Sequence, residues 1–216
     1  MNQLIIDPNN RGNPKGEKAF AQISPEARQF GYVPDLEYCK AGDLILSHSV
    51  ARDYIETGII NTQLKAGLAE DDSRWTHAAV YLYEDFILEA DPKLGVRSRS
   101  LYSDVPGSCF RVRRRQNLKE ADRYKIALCA QRMLGMRYDL GAALSLGLRA
   151  RVSEMWNRYW APRMKKEIIC SQVFYDAYAE ITRHFLSSCP THGVMPAHLS
   201  ATSDLEDISV PWLKII

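Results

Sequence analysis

One cysteine lies where a helix would activate its thiol. Cys170 opens the helical part of EIICSQVFYDAYAE, whose apolar residues recur at helical spacing, at Val173, Phe174, Ala177, Tyr178 and Ile181. The first turn of a helix offers unpaired N–H groups and the positive end of the helix dipole, and both stabilise a thiolate. The same N–H groups can stabilise an oxyanion. On this segment alone, a buried and unreactive cysteine is the competing interpretation.

A nucleophilic cysteine also needs a base, and a group that orients the base. The histidines available are His48, His77, His184, His192 and His198. His77 begins an apolar run typical of a strand, and Glu89 follows twelve residues later inside the otherwise apolar FILEA. A carboxylate in such a strand costs free energy unless it is paired. We therefore predict a His77–Glu89 pair, with Asp91, which has the same parity as Glu89, as the alternative orienter.

The pairing of these two strands decides whether the histidine and the glutamate meet. A plain two-residue turn at 84–85 pairs Val80 with Glu89 and puts His77 and Glu89 on opposite faces, because side chains alternate along a strand. A three-residue connection or a β-bulge pairs Ala79 with Glu89 instead. His77 and Glu89 are then diagonal neighbours on one face. The catalytic hypothesis predicts this second arrangement.

The surrounding patterns predict strands first and flanking helices, which is typical of an α+β domain. Strand patterns cover 41–49, 75–84, 86–90 and 108–115, and helical patterns cover 50–70, 118–135 and 169–182. Residues 1–38, rich in Asn, Pro, Gly and charge, are predicted to form an irregular N-terminal arm. The 216 residues are sufficient for a single domain with a sizeable core.

Composition and charge exclude some functions. The net charge of +2 indicates no particular class of partner, and the sequence contains no motif typical of nucleic-acid recognition. MNQLIIDPNN lacks the features of a signal peptide, and LGAALSLGL is too short to span a bilayer. We expect a protein that is cytoplasmic as synthesised, with export by a dedicated secretion system left open. The cysteines lack the spacing of a zinc site, so free thiols and no metal are expected at Cys39, Cys109, Cys129, Cys170 and Cys189.

Residues 140–166 are predicted to be an insertion before the cysteine helix, and its part 149–166 is basic and aromatic. Its cationic residues include Arg149, Arg151, Arg158 and Arg163. One interpretation is a solvated face with the tryptophans in the core. The other is a lid or patch that contacts an anionic surface, such as a phospholipid or a cell-wall peptide.

Taken together, these motifs resemble NlpC/P60 cysteine peptidases of the papain-like superfamily. GDLIL followed by HAAVYLYEDFILEA is similar to that family's Gly-Asp-Leu strand, its His-x-Gly-Ile-Tyr-Leu strand and a polar residue twelve positions after the histidine. GMRYDLGA and IICSQV are similar to its tyrosine and cysteine motifs, although Ile169 replaces the aspartate before the cysteine. The histidine precedes the cysteine here. That order is similar to the circularly permuted branch, which includes permuted amidase-like proteins and lecithin:retinol acyltransferase-like enzymes.

The resemblance implies a papain-like antiparallel sheet or partial barrel packed against helices, with the nucleophile at a helix N-terminus. It implies Cys170 as the nucleophile, His77 as the base and Glu89 as the group that orients it. It also implies that Tyr138 and the Cys170 N–H stabilise an oxyanion. No cofactor and no metal are implied. From its place in a Gly-Asp turn, Asp43 is expected to be a structural residue near the site that caps backbone N–H groups.

Three functions are compatible with these residues. The first is hydrolysis of an amide bond in small peptides or peptidoglycan stem peptides through a thioester. The second is lipid acyl hydrolysis or acyl transfer, as in the acyltransferase-like branch, which LGAALSLGL and the basic aromatic segment favour. The third is a binding module without chemistry, which the presence of Cys170, His77 and Glu89 together disfavours.

Overall fold

The computed structural model of the protein describes residues 4–139, 167–190 and 193–216. The strands of this part are β1 (Ile5–Ile6), β2 (Gly16–Lys18), β3 (Tyr32–Pro34), β4 (Leu44–Ser49), β5 (His77–Tyr83), β6 (Phe86–Asp91), β7 (Gly95–Ser100), β8 (Ser108–Arg114), β9 (Arg137–Tyr138), β10 (Glu167–Ile168), β11 (Glu206–Ile208) and β12 (Trp212–Ile215). Its α-helices are α1 (Pro25–Phe30), α2 (Tyr54–Lys65), α3 (Glu70–Ser73), α4 (Glu120–Gln131), α5 (Cys170–Thr182) and α6 (Pro196–Ala201). Short 3-10 turns cover Leu36–Tyr38 and Leu101–Asp104.

An antiparallel sheet forms the centre of the fold. Its strands follow the order β1-β8-β4-β5-β6-β7, and β11 also pairs with β8. Each neighbouring pair in this sheet is antiparallel. With the helices that pack on it, the sheet confirms the α+β class predicted from the sequence.

Both faces of the central sheet are covered by other parts of the chain. On one face, Ala78 and Val80 belong to a core shared with α4 and α5. On the other face, Ala79 and Tyr81 belong to a second core, shared with residues from both ends of the chain. Because Ala78–Leu82 of β5 are buried on both sides, this part of the strand is apolar throughout instead of alternating between apolar and polar residues.

The N-terminal segment is folded, which corrects the irregular arm predicted for residues 1–38. β2 and β3 lie on either side of β12 in a separate three-stranded sheet within the described residues. α1 begins after Ser24, whose hydroxyl accepts the N–H of Ala27, and ends at Gly31 with φ +79°. β12, which pairs with β2 and β3, comes from the far end of the chain, so the composition of residues 1–38 does not indicate this pairing.

The two longer helices on the face of the first core were anticipated by their apolar periodicity. α4 and α5 pack on each other, and α5 also packs against β5. α4 is shorter than the predicted 118–135, because turns follow Gln131 up to Gly135, which has φ +79°. Ile169 is the N-cap of α5, so Cys170 is the first helical residue. An isoleucine side chain cannot accept a hydrogen bond, so it does not cover the N–H groups of the first turn.

The predicted insertion at 140–166 lies outside the described residues, together with its cationic residues Arg149, Arg151, Arg158 and Arg163. In the part of the chain that the structure describes, no helix combines the length and the apolar character needed to cross a membrane.

Candidate functional site

The hairpin of β5 and β6 has the register that the catalytic hypothesis requires. Tyr83 pairs with Phe86 across a two-residue turn, and an irregularity between Tyr81 and Tyr83 shifts the pairing by one residue. Ala79 therefore lies opposite Glu89. The predicted register is confirmed, and a bulge produces it rather than a three-residue loop.

The predicted pair of His77 and Glu89 is present. His77 Nε2 and Glu89 Oε2 are 2.9 Å apart. The side chain of Glu89 is only 3% exposed, whereas that of His77, at the start of β5, is 25% exposed. An ionised carboxylate can only accept hydrogen bonds, so Nε2 is the donor. This leaves Nδ1 of the same ring for the cysteine.

Cys170 lies buried beside the first residues of β5. Its sulfur interacts with the His77 ring by charge and by a hydrogen bond, and with the N–H groups of Ala78 and Ser171. Burial alone raises the pKa of a thiol, but these contacts outweigh burial and hold the pKa of Cys170 below its usual value. The resulting thiolate is the form in which a cysteine acts as a nucleophile.

The imidazole of His77 responds in the opposite direction. Burial lowers the pKa of a histidine, but the charge and hydrogen bond of the Cys170 sulfur, together with the Glu89 carboxylate, raise the pKa of His77 to about 10. Both shifts favour a thiolate beside an imidazolium over the neutral pair. This state holds both a nucleophile and a proton that can be given to a leaving group.

Two arginines on β7 also hold Glu89, and the sequence analysis did not identify them. Arg99 donates from Nε to Oε1 of Glu89 at 2.6 Å and from Nη2 to Oε2 at 2.8 Å. Arg97 donates from Nε to Oε1 at 3.2 Å. Burial raises the pKa of the Glu89 carboxyl, but the hydrogen bonds from His77 and Arg99 outweigh it and keep this pKa far below its usual value. The alternation in GVRSRS was the available signal, since it puts both arginines on one face of a strand.

Tyr138 lies beside the cysteine, as the resemblance implied. β9 pairs in parallel with β10, so that Tyr138 is opposite Ile168, two residues before Cys170. The Tyr138 hydroxyl forms a hydrogen bond with the Cys170 sulfur. Burial and the charge on that sulfur raise the pKa of Tyr138 above its usual value, so the hydroxyl keeps its proton and remains a hydrogen-bond donor.

A glycine at the start of β7 permits the close approach of the segment that carries Tyr138. The N–H of Val96 donates to the carbonyl of Met136 at 2.8 Å. Gly95 has φ +76°, and a Cβ added there would lie 2.4 Å from the Met136 oxygen. Only glycine has both the required conformation and the required space at this position.

Asp43 caps a turn, as predicted, but it is not near the cysteine. Its carboxylate accepts the N–H of Lys40 at 2.8 Å and, although fully buried, is paired with Arg114 through two hydrogen bonds of 2.8 and 2.6 Å. Because β4 and β5 are antiparallel, the start of β4 lies beside Tyr81, whose N–H donates to the Asp43 carbonyl. His77 lies at the other end of β4, roughly 13 Å along the strand. The expectation of a place near the site is therefore corrected to a structural role at the far end of β4.

Asp91, the alternative orienter, holds the turn between β6 and β7. Its Oδ1 accepts the N–H groups of Lys93 and Leu94 at 2.8 and 2.9 Å. Its Oδ2 accepts a hydrogen bond from Arg97 Nη2 at 2.8 Å. Glu89, and not Asp91, makes the hydrogen bond to His77.

The four remaining cysteines differ from Cys170 in their electrostatics. Burial is the main cause that raises the pKa of Cys109 and Cys129 to about 11 and the pKa of Cys189 to about 12. The pKa of Cys39 is raised further, also mainly by burial. Of the five thiols, Cys170 is therefore the one whose surroundings favour the thiolate.

Comparisons with known proteins give a fold but no family. No protein-family model matches the chain, and no curated protein matches it. Among solved structures, the chain is similar to the crystal structure of metalloprotein yiiX from Escherichia coli O157:H7, DUF1105, with a TM-score of 0.51 and 16% sequence identity. The similarity covers 77% of this chain and 94% of that chain. At this identity, the likeness shows a shared α+β fold alone.

Proposed function

We propose that the protein is a cysteine hydrolase that cleaves an amide bond in small peptides or peptidoglycan stem peptides. One observation carries this proposal. Cys170, at the start of α5, is paired with His77, whose Nε2 hydrogen-bonds to the buried carboxylate of Glu89. A thiol, a base and an orienting carboxylate in this order are the parts that nucleophilic catalysis requires.

In the first half of the reaction, the Cys170 thiolate adds to the carbonyl carbon of the substrate. The Cys170 backbone N–H and the Tyr138 hydroxyl stabilise the oxyanion that forms. His77 then gives its proton to the leaving nitrogen while the carbon–nitrogen bond breaks. An amine departs, and the acyl group remains on Cys170 as a thioester.

In the second half, water resolves the thioester. Neutral His77 takes a proton from the attacking water, and the carbon–sulfur bond breaks to release a carboxylic acid and the thiolate. Glu89 holds the ring so that Nε2–H faces its Oε2 and stabilises the imidazolium each time it forms.

The pair has the proton that an amide substrate requires. An amine is a poor leaving group until it is protonated, and the His77 imidazolium can donate a proton to the leaving nitrogen. Lipid acyl hydrolysis or acyl transfer proceeds through the same thioester and is the alternative outcome of the test below. The segment that favours lipid in the sequence, 140–166, lies outside the described residues.

The same residues support membership of the circularly permuted branch of the papain-like NlpC/P60 superfamily. The histidine strand precedes the cysteine helix in the chain, which is the order of that branch. A mostly antiparallel sheet with helices packed against it is compatible with the papain-like arrangement.

The solved structure that this chain is similar to is described as a metalloprotein, and a metal site requires a minimum number of ligands. A catalytic zinc takes three protein ligands, and a structural zinc takes four. Within residues 4–139, 167–190 and 193–216, no three His, Cys, Asp or Glu side chains are grouped so that they could hold a metal ion. His77 also uses Nε2 for Glu89. The described residues therefore do not fit a metal ion at this site.

The test compares Cys170→Ala with Cys189→Ala, a matched loss of a thiol away from the site. Turnover is measured on a dipeptide p-nitroanilide, on peptidoglycan stem peptides and on p-nitrophenyl esters of short and long acyl chains. We expect amide turnover by the parent and by Cys189→Ala, and none by Cys170→Ala. Amide turnover at the parent rate by folded Cys170→Ala would refute the proposal. Turnover of long-chain esters alone would replace amide hydrolysis by the lipid alternative.

A further inference from the structure

The carboxylate of Glu89 is fixed at both oxygens. His77 Nε2 donates to Oε2 at 2.9 Å, and the Arg99 guanidinium donates to Oε1 and Oε2 at 2.6 and 2.8 Å. Because this guanidinium is a rigid fork, the carboxylate cannot rotate without breaking both bonds. Oε2 is thereby kept opposite His77.

Arg99 is itself anchored on its far side. Its Nη2 donates to Asp104 Oδ2 at 2.6 Å, and its Nη1 donates to Ser103 Oγ at 3.0 Å and to the carbonyl of Ser100 at 3.2 Å. The side chain is 17% exposed. Arg99 therefore has a single well-defined position against Glu89.

Arg97 provides a natural comparison on the same strand. Its side chain is 36% exposed, and it bonds to Oε1 of Glu89 without reaching the oxygen that faces His77. The Nη2 atom of Arg97 also contacts Asp91, so this side chain is divided between two carboxylates. Of the two arginines, Arg99 is the one with the geometry to fix Oε2.

The proposed reaction requires that the negative charge of Glu89 stay compensated when His77 loses its proton. His77 alternates between imidazolium and neutral imidazole, and a buried carboxylate beside a neutral ring loses its cationic partner. Arg99 remains charged at every step. It therefore compensates the charge of Glu89 while His77 has given its proton away.

We propose that Arg99, backed by Asp104, is a positioning residue that clamps Glu89 so that Oε2 stays directed at His77 throughout the reaction. This inference rests on the proposed function, because it assigns Arg99 a role that acts through Glu89 on the His77–Cys170 pair. Among the described residues, the charged and titratable groups around that pair are Glu89 and Asp91 on β6, Arg97 and Arg99 on β7, Asp104 in the following turn, Tyr138 on β9 and the adjoining Asp139.

The test measures the pH at which alkylation of Cys170 by iodoacetamide reaches half of its maximal rate, followed by mass spectrometry of the Cys170 peptide. Loss of the clamp lets Glu89 Oε2 turn away from His77, which destabilises the imidazolium and, with it, the thiolate that the imidazolium stabilises. This effect raises the midpoint, and we expect Arg99→Gln to raise it by about 1 pH unit. Arg97→Gln, the matched control, is expected to raise it by less than about half as much. In a Glu89→Gln background, Arg99→Gln is expected to add no further shift.

Several results would overturn the clamp. The first is an unchanged midpoint in folded Arg99→Gln, and the second is an equal shift with and without Glu89. Full restoration of the midpoint by Arg99→Lys would also overturn it, because charge without the fork would then be sufficient. If Arg99→Gln does not fold by circular dichroism, Asp104→Asn carries the test, and a midpoint equal to the parent's refutes the proposal. A parent midpoint of about 8.5, as for an ordinary cysteine, would instead refute the proposed function of Cys170.

Discussion

The backbone at Gly95 lies so close to Met136 that adding a methyl group at Gly95 is expected to lower the free energy of unfolding. In Gly95→Ala, the new Cβ would lie 2.4 Å from the Met136 oxygen, so the carbonyl must move by at least 0.6 Å to reach 3.0 Å. The residue would also keep φ +76°, which costs about 1–2 kcal/mol for an L-amino acid. Strain on the hydrogen bond from Val96 to Met136 adds about 1 kcal/mol. We expect a loss of about 2–3 kcal/mol in the free energy of unfolding.

We expect the same displacement to reach Tyr138, the proposed oxyanion donor. Met136 is two residues from Tyr138, and a shift of about 1 Å in a catalytic group can cost about 100-fold in rate. We therefore expect kcat/KM for the amide substrate to fall by about 10- to 100-fold in Gly95→Ala.

Gly31→Ala is the matched control for this variant. Gly31 has φ +79°, but an added Cβ there meets no atom of the described residues within 4 Å. It is expected to lose about 1–2 kcal/mol of stability and no activity. The measurements are urea unfolding and steady-state turnover of both variants. Parent-like stability and turnover in Gly95→Ala would refute the reasoning, as would equal losses in the two variants.

Two further variants test individual side chains of the site. Tyr138→Phe removes the proposed oxyanion donor and is expected to reduce kcat about 100-fold without loss of stability. Its control, Tyr175→Phe, removes a buried hydroxyl that has no hydrogen-bond partner among the described residues, and parent activity is expected. A parent-like kcat in Tyr138→Phe would contradict its role. Glu89→Gln removes the negative charge beside His77, which lowers the pKa of His77 and raises that of Cys170. The pH profile of kcat/KM should therefore narrow, with the acid limb moved upward and the alkaline limb moved below about 10, and an unchanged profile would contradict the role of Glu89.

Ionisable residues within otherwise apolar strands made the His77–Glu89 pair predictable from the sequence. Glu89 within FILEA required a partner, and His77 was the predicted one. The alternation of side chains then indicated which of two registers would bring the two residues together. The apolar period of the last long helix placed Cys170 at its first turn. These inferences needed only the local sequence and the alternation of side chains along a strand.

The features that the sequence did not reveal depend on contacts between distant segments or on strands without an apolar pattern. GVRSRS has few apolar residues, so β7 went unassigned, and with it the two arginines that hold Glu89. The N-terminal strands β2 and β3 pair with Trp212–Ile215, and local composition does not indicate a pairing between the two ends of the chain. The position of Asp43 depends on the antiparallel pairing of β4 with β5, and that pairing puts it at the far end of the strand from His77.

A reactive thiolate at Cys170 can be distinguished from a merely exposed thiol, because the order of the five cysteines by exposure differs from their order by thiol pKa. Cys189 is the most exposed of the five cysteines, whereas Cys170 is 5% exposed. Electrostatics reverses this order, since burial raises the pKa of Cys189 to about 12 while the surroundings of Cys170 lower its pKa.

Limited labelling with iodoacetamide at pH 6.5, followed by peptide mapping of all five cysteines, tests the central claim most directly. The thiolate at Cys170 predicts that this residue is labelled at least ~10-fold faster than any other thiol, and that His77→Ala removes the difference. Preferential labelling of Cys189, or uniform slow labelling of all five, would contradict an activated nucleophile at Cys170.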